Sequence, residues 1–153
     1  MNERVDESPR SGSRDELHSP TSELRMATFR LARRLRAQRA VDTMSDGQFA
    51  VLAALSIHGE HTLGQLADRE RVTAPSMNRT VSLLEEAGSL PRPPDDEDRR
   101  KVTIALTDAG RLVVAETVRR RDAWLEEALA ALTDEERKTL AAAAVIMRKV
   151  ADT

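Results

Sequence analysis

The chain has 153 residues, of which 40% are hydrophobic, 33% charged and only 2% aromatic, and its formal net charge is −2. The lack of cysteine excludes disulfides, thiolate zinc sites and thiol redox sensing. No apolar run approaches the roughly 18–20 residues that a membrane span needs, and the N-terminus lacks the apolar region of a signal peptide. We therefore expect a cytoplasmic protein without a membrane partner, either one compact domain or one domain with helical arms.

The N-terminal part divides into a tail and a first helix. Residues 1–20 are polar and predict a flexible tail. From Thr21 to about Val41, apolar residues recur at helical spacing and predict a helix with an apolar stripe of Leu24, Ala27, Leu31 and Leu35. Six arginines cover its other faces, which we interpret as solvated, with a phosphate-facing or partner-facing role as the alternative: Arg25, Arg30, Arg33, Arg34, Arg36 and Arg39.

Three short helices are predicted next, each with its own start signal. Ser45 and Thr62 each begin a capping-box pattern, and Thr73 precedes a helix that has Pro75 in its first turn and ends at Gly88. The linkers between these helices are only a few residues long. Helices joined so tightly must cross at steep angles, which is typical of a helix-turn-helix unit.

A two-stranded hairpin is predicted after Gly88. The second strand, residues 101–106, alternates apolar and polar positions, whereas Pro91 places the first strand, residues 89–94, at an edge. The tip holds four acids followed by three cations. We expect Asp98 to orient Arg100 or its neighbour through a salt bridge, while the cations face phosphate.

Two further helices follow, capped by Thr107 and Thr133. Their apolar stripes, like that of the first helix, exceed what the small centre can cover. We predict that a second copy of the chain covers them in a two-fold homodimer, with the arms folding back on each other as the alternative. The predicted interface residues are Leu24, Leu31, Leu35, Trp124, Leu125, Leu129, Leu140 and Met147.

The helix that begins at Thr73 has two unlike faces. Met77, Val81 and Leu84 lie on one side, and the other side is small and polar in its N-terminal half. Such a surface can enter a major groove, where Arg and Asn make bidentate contacts with base edges. The predicted partner is double-stranded DNA, contacted by Thr73, Pro75, Ser76, Asn78 and Arg79 on this helix. At the hairpin tip the predicted DNA-binding residues are Arg99, Arg100 and Lys101, with Asp98 as the residue that orients the arginines.

Charge does not favour nucleic acid by itself. Residues 61–101 hold seven cations and eight anions, a formal charge of −1. DNA binding therefore needs cations that are segregated in space, and we expect a modest dependence on salt.

The motifs in this order resemble the MarR family of bacterial winged helix-turn-helix regulators, over roughly residues 45–115. The similarity rests on Leu66-Ala67, the polar start at residues 75–79, Leu-Glu-Glu-Ala-Gly at 84–88, Asp-Arg-Arg at 98–100 and Leu-Thr-Asp-Ala-Gly at 106–110. The resemblance implies a mainly α fold with a two-stranded β-wing. Its domain layout would be a tail (1–20), a dimerisation helix (21–43), the DNA-binding domain (44–107) and C-terminal dimerisation helices (108–153).

The same resemblance implies a homodimer on an inverted-repeat operator, acting as a repressor or, less often, an activator. It places the recognition-helix positions on Pro75, Ser76, Asn78 and Arg79, and the wing positions on Asp98 and Arg100. Many family members release DNA when a small, often aromatic acid or lipophilic effector binds. Without tyrosine, a pocket here would be lined by Met, Leu and Ala, with Arg for an anion.

Other classes of function have weaker support. The chain has neither a Gly-rich phosphate loop nor a cysteine nucleophile, so we predict no enzyme, no catalytic residue and no cofactor. His58 and His61, with Glu60 between them, could hold a metal in a metal-responsive regulator, although such a pair is more typical of a polar turn. A protein-interaction module without DNA binding would suit the acidic balance, but interfaces favour aromatic anchors over arginines among small residues.

Overall fold

The computed structural model describes residues 19–92 and 102–153. These residues form six helices: α1 (Pro20–Ala37), α2 (Asp46–His58), α3 (Leu63–Glu70), α4 (Ala74–Glu86), α5 (Asp108–Ala130) and α6 (Asp134–Ala151). Two short strands, β1 (His61–Thr62) and β2 (Thr103–Ile104), complete the order. The predicted fold class, mainly helical with a small two-stranded sheet, is confirmed.

Local side-chain hydrogen bonds cap the N-termini of the helices at the residues that the sequence predicts. The Ser45 hydroxyl accepts from the Gln48 backbone N–H at 3.1 Å, while the Gln48 side chain accepts from the Ser45 N–H at 2.7 Å. Thr62 and Thr133 form the same reciprocal capping box. Each cap satisfies backbone N–H groups that would otherwise lack a partner, which typically stabilises a helix by about 1 kcal/mol.

The predicted pairing within the sheet is wrong for the described residues. Strand β2 pairs antiparallel with β1, so that Ile104 lies opposite His61, and residues 89–92 form no strand. Contacts with the start of α5 hold that segment instead. The Ser89 carbonyl accepts from the Thr107 N–H at 3.2 Å, and the Gly88 carbonyl accepts from the Thr107 hydroxyl at 2.7 Å.

One aliphatic core lies within the unit Gln38–Thr153. Helices α2, α3 and α4 supply most of it, and Leu90, Ile104 and Val114 extend it. Leu52, Leu66 and Leu84 are completely buried. The low aromatic content therefore has the predicted consequence, a core of Leu, Val, Ile, Ala and Met.

Helix α1 belongs to the separate unit Met1–Ala37 and contains no buried residue among those described. It ends at Ala37 rather than near Val41. Beyond it, the Ala40 N–H donates to the Thr117 hydroxyl at 3.1 Å, and Arg39 donates to the Met44 carbonyl at 2.7 Å. These hydrogen bonds hold residues 39 and 40 in the segment that connects α1 to α2. Because the Ala40 N–H donates to Thr117 and not to a carbonyl of α1, the helix ends earlier than the apolar pattern predicts.

An ion-pair cluster on α5 holds the same connecting segment. Glu116 accepts from Arg119 and Arg120 at 2.7 Å each, and Arg120 also donates to the Arg39 carbonyl at 2.9 Å. These donors, Arg119 first, lower the pKa of Glu116 from 4.5 to about 2. A lowered pKa means that the charged carboxylate is favoured in the folded state. Its contribution to the stability of the fold is therefore present above pH 4.5 and lost as the pH falls toward 2.

NMR titration of the Glu116 carboxyl resonance should therefore give a midpoint near 2 in the folded protein. Replacing Arg119 with Gln should move this midpoint upward toward 4.5, because the largest stabilising donor is removed. Replacing Arg137 with Gln on α6 should leave it unchanged. A wild-type midpoint close to 4.5 would show that the three side chains do not pair in solution.

Candidate nucleic-acid interface

Helices α3 and α4 form a tight helix-turn-helix. The turn consists of residues 71–73, and the two helices bury Leu66, Ala67, Met77 and Val81 in the common core. Their connection is short because the backbone reverses at Arg71, which has the left-handed conformation with φ 54° and ψ 43°. Such a conformation costs an L-amino acid roughly 1–2 kcal/mol.

The surface of α4 is divided as its helical period predicts. Met77, Val81 and Leu84 are buried, whereas Pro75, Ser76 and Arg79 are exposed. Thr73, the N-cap, is exposed as well, and Asn78 is half-buried at the edge of the face. The fold thus collects all of the predicted DNA-facing residues of this helix at its N-terminal half: Thr73, Pro75, Ser76, Asn78 and Arg79.

Polar groups on this half-helix are available for a ligand. The Thr73 hydroxyl accepts from the Ser76 backbone N–H at 3.4 Å, and the Thr80 hydroxyl donates to the Ser76 carbonyl at 3.2 Å. Those bonds fix the backbone. Within residues 19–92 and 102–153, the side chains of Ser76, Asn78 and Arg79 have no hydrogen-bond partner. Their donors and acceptors can therefore contact base edges without first breaking internal bonds.

The cations of this region differ from those of the last two helices in whether they pair with carboxylates. In the described part of the chain, Arg69, Arg71 and Arg79 form no ion pair, although Asp68 and Glu70 adjoin two of them in sequence. On α5 and α6, by contrast, five cations are paired with carboxylates: Arg111, Arg119, Arg120, Arg137 and Lys138. The helix-turn-helix surface is therefore not strongly basic, but its cations form no ion pair with any residue that the structure describes.

The wing residues Asp98, Arg99, Arg100 and Lys101 lie outside the described residues, and their predicted roles stay predictions. The described residues continue from Val102, just before β2. Strand β2 pairs with β1, which directly precedes α3. The segment that follows the predicted wing is thus attached to the helix-turn-helix.

The predicted interface residues of the terminal helices are only partly covered. Leu24, Leu31, Leu140 and Met147 are exposed, Leu24 by 60%. Leu35, Trp124, Leu125 and Leu129 are half-buried. Helix α6 contains no buried residue, which leaves an apolar stripe along its 18 residues.

The histidine pair offers little to a metal ion. His58 ends α2 and His61 begins β1, with ring centroids 6.4 Å apart, and the His61 Nδ1 lies 2.9 Å from the Gly59 carbonyl oxygen. No group of three His, Asp or Glu side chains that could hold a metal occurs among the residues described. Likewise, none of the helices in these two ranges is long and apolar enough to cross a membrane.

Comparison with known proteins agrees with this geometry. The model of the MarR family matches residues 44–102. An HTH-type transcriptional regulator of Mycobacterium tuberculosis is 37% identical over 131 residues, which cover 86% of this chain and 92% of the relative. The chain belongs to the MarR family. It is accordingly a helix-turn-helix transcriptional regulator.

Two further similarities bear on this MarR-family chain. The HTH-type transcriptional repressor MdtR of Bacillus subtilis is 30% identical over 93 residues, 61% of this chain and 60% of MdtR. A MarR family protein from Bacillus stearothermophilus has the same fold, with a TM-score of 0.74, 21% identity and coverage of 95% and 100%. The relatives are named as regulators and not as enzymes.

Arg71 is absent from the set of residues predicted from the sequence, although the sequence contains a signal for it. A turn between two closely joined helices usually needs a left-handed residue, most often Gly or Asn. Neither occurs between Glu70 and Thr73. Arg71 instead adopts that conformation in the turn between α3 and α4.

Proposed function

We propose that this chain is a homodimeric repressor that binds an inverted-repeat operator in double-stranded DNA. The N-terminal half of α4 enters the major groove, and the tip of the wing contacts the adjacent backbone and minor groove. The observation that carries the proposal lies on the second helix of a helix-turn-helix: Ser76 and Arg79 are exposed, Asn78 is half-buried beside them, and none of the three has a side-chain partner among the described residues. Arg and Asn are side chains that make bidentate contacts with guanine and adenine.

A dimer is supported by the apolar surface of the terminal helices. Helices α1 and α6 bury none of their described residues, and α6 exposes Leu140, Ile146, Met147 and Val150. Apolar surfaces of this kind on a helical protein are typical of an interface. A two-fold dimer would present two α4 helices to half-sites about 34–36 Å apart, one turn of DNA.

The repressor role is supported by the similarity to MdtR, which is named a repressor. Bound at an operator, a dimer of this size would exclude the transcription machinery from the same DNA. A reporter gene placed downstream of a duplex that the chain binds should lose expression when the chain is supplied. Increased expression would instead identify an activator.

A small-molecule effector is the last part of the proposal. A hollow at the end of α2 is lined by Leu55, Ala105, Leu106 and Arg111, together with Ser56, Gly59 and Glu60. Its aliphatic walls and arginine suit a compound with an apolar body and a polar group. Small lipophilic acids that bind there should raise the unfolding temperature and weaken DNA binding together, since an effector must prefer one of two states.

Selection from a randomised duplex library, followed by gel shifts, tests the central proposal. We expect enrichment of inverted repeats and a dimer-sized complex. If no duplex is enriched at low salt, the chain does not bind DNA and the protein-interaction alternative gains support. Because phosphate contacts release counterions, the affinity must be measured across a salt series.

Replacing Leu140 with Asp is expected to convert the dimer into a monomer and to reduce operator affinity. A carboxylate at an apolar interface must lose its hydration, which costs several kcal/mol, yet Leu140 is 48% exposed in the single chain, so the fold should persist. Light scattering measures the mass. The control is Lys138→Asp on the same helix, whose side chain is 76% exposed. An unchanged mass for Leu140→Asp would remove this face from the interface.

A further inference from the structure

Arg71 combines a strained backbone with an exposed charge that has no partner among the described residues. It is the one non-glycine residue with positive φ among residues 19–92 and 102–153. Its N–H and that of Val72 close the end of α3 by donating to the Asp68 and Ala67 carbonyls, at 3.2 and 3.0 Å. The backbone of this turn is therefore fixed, and Arg71 cannot relax to negative φ without opening it.

Glycine would adopt this conformation without steric cost. Persistent strain at a residue indicates that its side chain has a use that outweighs the loss of stability. Interactions of the Arg71 side chain within the fold do not explain the strain. The side chain forms no ion pair or hydrogen bond with any residue that the structure describes, even with Asp68, which lines the same shallow polar hollow.

A favourable interaction with the α3 dipole is the obvious structural alternative, because cations stabilise helix C-termini. Arg69 already places a cation in the last turn of α3. Moreover, the dipole interaction at an exposed site is no larger than the strain that Arg71 incurs. The turn gains nothing in stability from this arginine that glycine would not provide.

The position of Arg71 next to the N-terminus of α4 indicates what its side chain contacts. Arg71 precedes the N-cap Thr73 by two residues, so their Cα atoms are within about 7 Å of each other. In a helix-turn-helix, the N-terminal residues of the second helix contact base edges inside the major groove. The chain that leads into that helix must then pass the sugar-phosphate backbone at the rim of the groove.

We propose that Arg71 binds a DNA phosphate at the rim of the groove that α4 enters, and that the strained turn serves to place this cation there. The inference rests on the proposed DNA-binding function and adds a contact outside the recognition helix and the wing. Phosphate contacts fix register and carry no sequence information. Arg71 should therefore contribute to affinity and to salt dependence, but not to the choice of sequence.

Replacing Arg71 with Gly is expected to change stability and DNA binding in opposite directions. The unfolding temperature should rise by about 1–4 °C, because the relief of left-handed strain exceeds the extra conformational entropy that glycine gives the unfolded chain. In the proposed dimer the substitution removes two phosphate contacts, one at each half-site, so affinity for the selected duplex should fall about a hundredfold and the slope of log K against log salt should decrease in magnitude by about two. Binding of the selected duplex and of a scrambled duplex should weaken equally, since the lost contact is to phosphate.

Three further variants separate the causes. Arg71→Lys keeps both charge and strain and should retain the salt slope. Arg71→Gln removes the charge but keeps the strain, so it should lose the slope without gaining stability, and it carries the test if the glycine variant does not fold. Lys138→Gln removes one cation from α6, on the exposed side chain that is 3.8 Å from Glu135, and should leave the slope unchanged.

Wild-type affinity and slope in both Arg71→Gly and Arg71→Gln would overturn the inference while leaving the proposed function intact. A loss confined to the selected duplex would also overturn it, because Arg71 would then read bases. If the wild-type chain binds no duplex at all, the proposed function itself fails, and the inference fails with it.

Discussion

Replacing Arg79 with Glu is expected to reduce affinity for the selected operator at least about a hundredfold. Arg79 is exposed on the polar face of α4, next to Ser76 and Asn78, and has no partner in the described part of the chain. Loss of a bidentate base contact alone costs about 1–3 kcal/mol. Reversal of the charge adds repulsion from the phosphates on both sides of the groove.

Stability should change by no more than about 0.5 kcal/mol, because the substitution is on the surface and breaks no hydrogen bond or ion pair among the described residues. Comparison of thermal unfolding with gel-shift affinity checks both statements. Lys138→Glu is the matched control, since it makes the same change in net charge on α6. If it weakens binding as much as Arg79→Glu does, net charge and not the face of α4 determines affinity. Arg79→Lys should lose affinity for the selected site more than for a scrambled duplex, because lysine lacks the bidentate fork.

The helix starts could be predicted from the sequence because their causes are local. Ser45, Thr62, Thr73, Thr107 and Thr133 each cap the helix that follows, using a hydroxyl within three residues of the N–H that it accepts. The two faces of α4 follow equally directly from the helical period. Those two rules account for the predicted helix-turn-helix and for the residues collected on its outer face.

Features that depend on distant parts of the chain were not predictable in the same way. Strand β2 lies within the segment whose alternation predicts a strand, but its partner is β1, more than 40 residues earlier, and alternation within one segment does not identify a distant partner. The end of α1 depends on Thr117, which is 77 residues from Ala40. Arg71 is predictable only in part. The need for a left-handed residue in the turn follows from the local sequence, but which residues its side chain contacts depends on the rest of the fold.

Replacing Gly110 with Ala is expected to destabilise the fold by about 1–3 kcal/mol, although the same change in a helix usually stabilises a protein. Gly110 is buried in the first turn of α5, and an added Cβ would lie 2.3 Å from the Ser89 carbonyl oxygen and 3.2 Å from its carbon. Both are backbone atoms, so no rotamer change can relieve the clash. The segment 88–90 must move away from α5, which strains its bonds to Thr107 and the burial of Leu90.

Gly64→Ala is the matched control for this prediction. Gly64 lies in the first turn of α3, is exposed, and its added Cβ would meet only the Thr62 hydroxyl at 4.0 Å. We expect this variant to be stabilised by about 0.4–1 kcal/mol, opposite in sign to Gly110→Ala. Urea unfolding at one fixed protein concentration measures both, since the stability of a dimer depends on concentration. Equal effects of the two substitutions would mean that α5 does not approach Ser89 as closely as the structure shows.

The Gly110 substitution should also affect DNA binding. Residues 88–92 directly precede the predicted wing, so Gly110→Ala should weaken operator binding without altering any residue of α4.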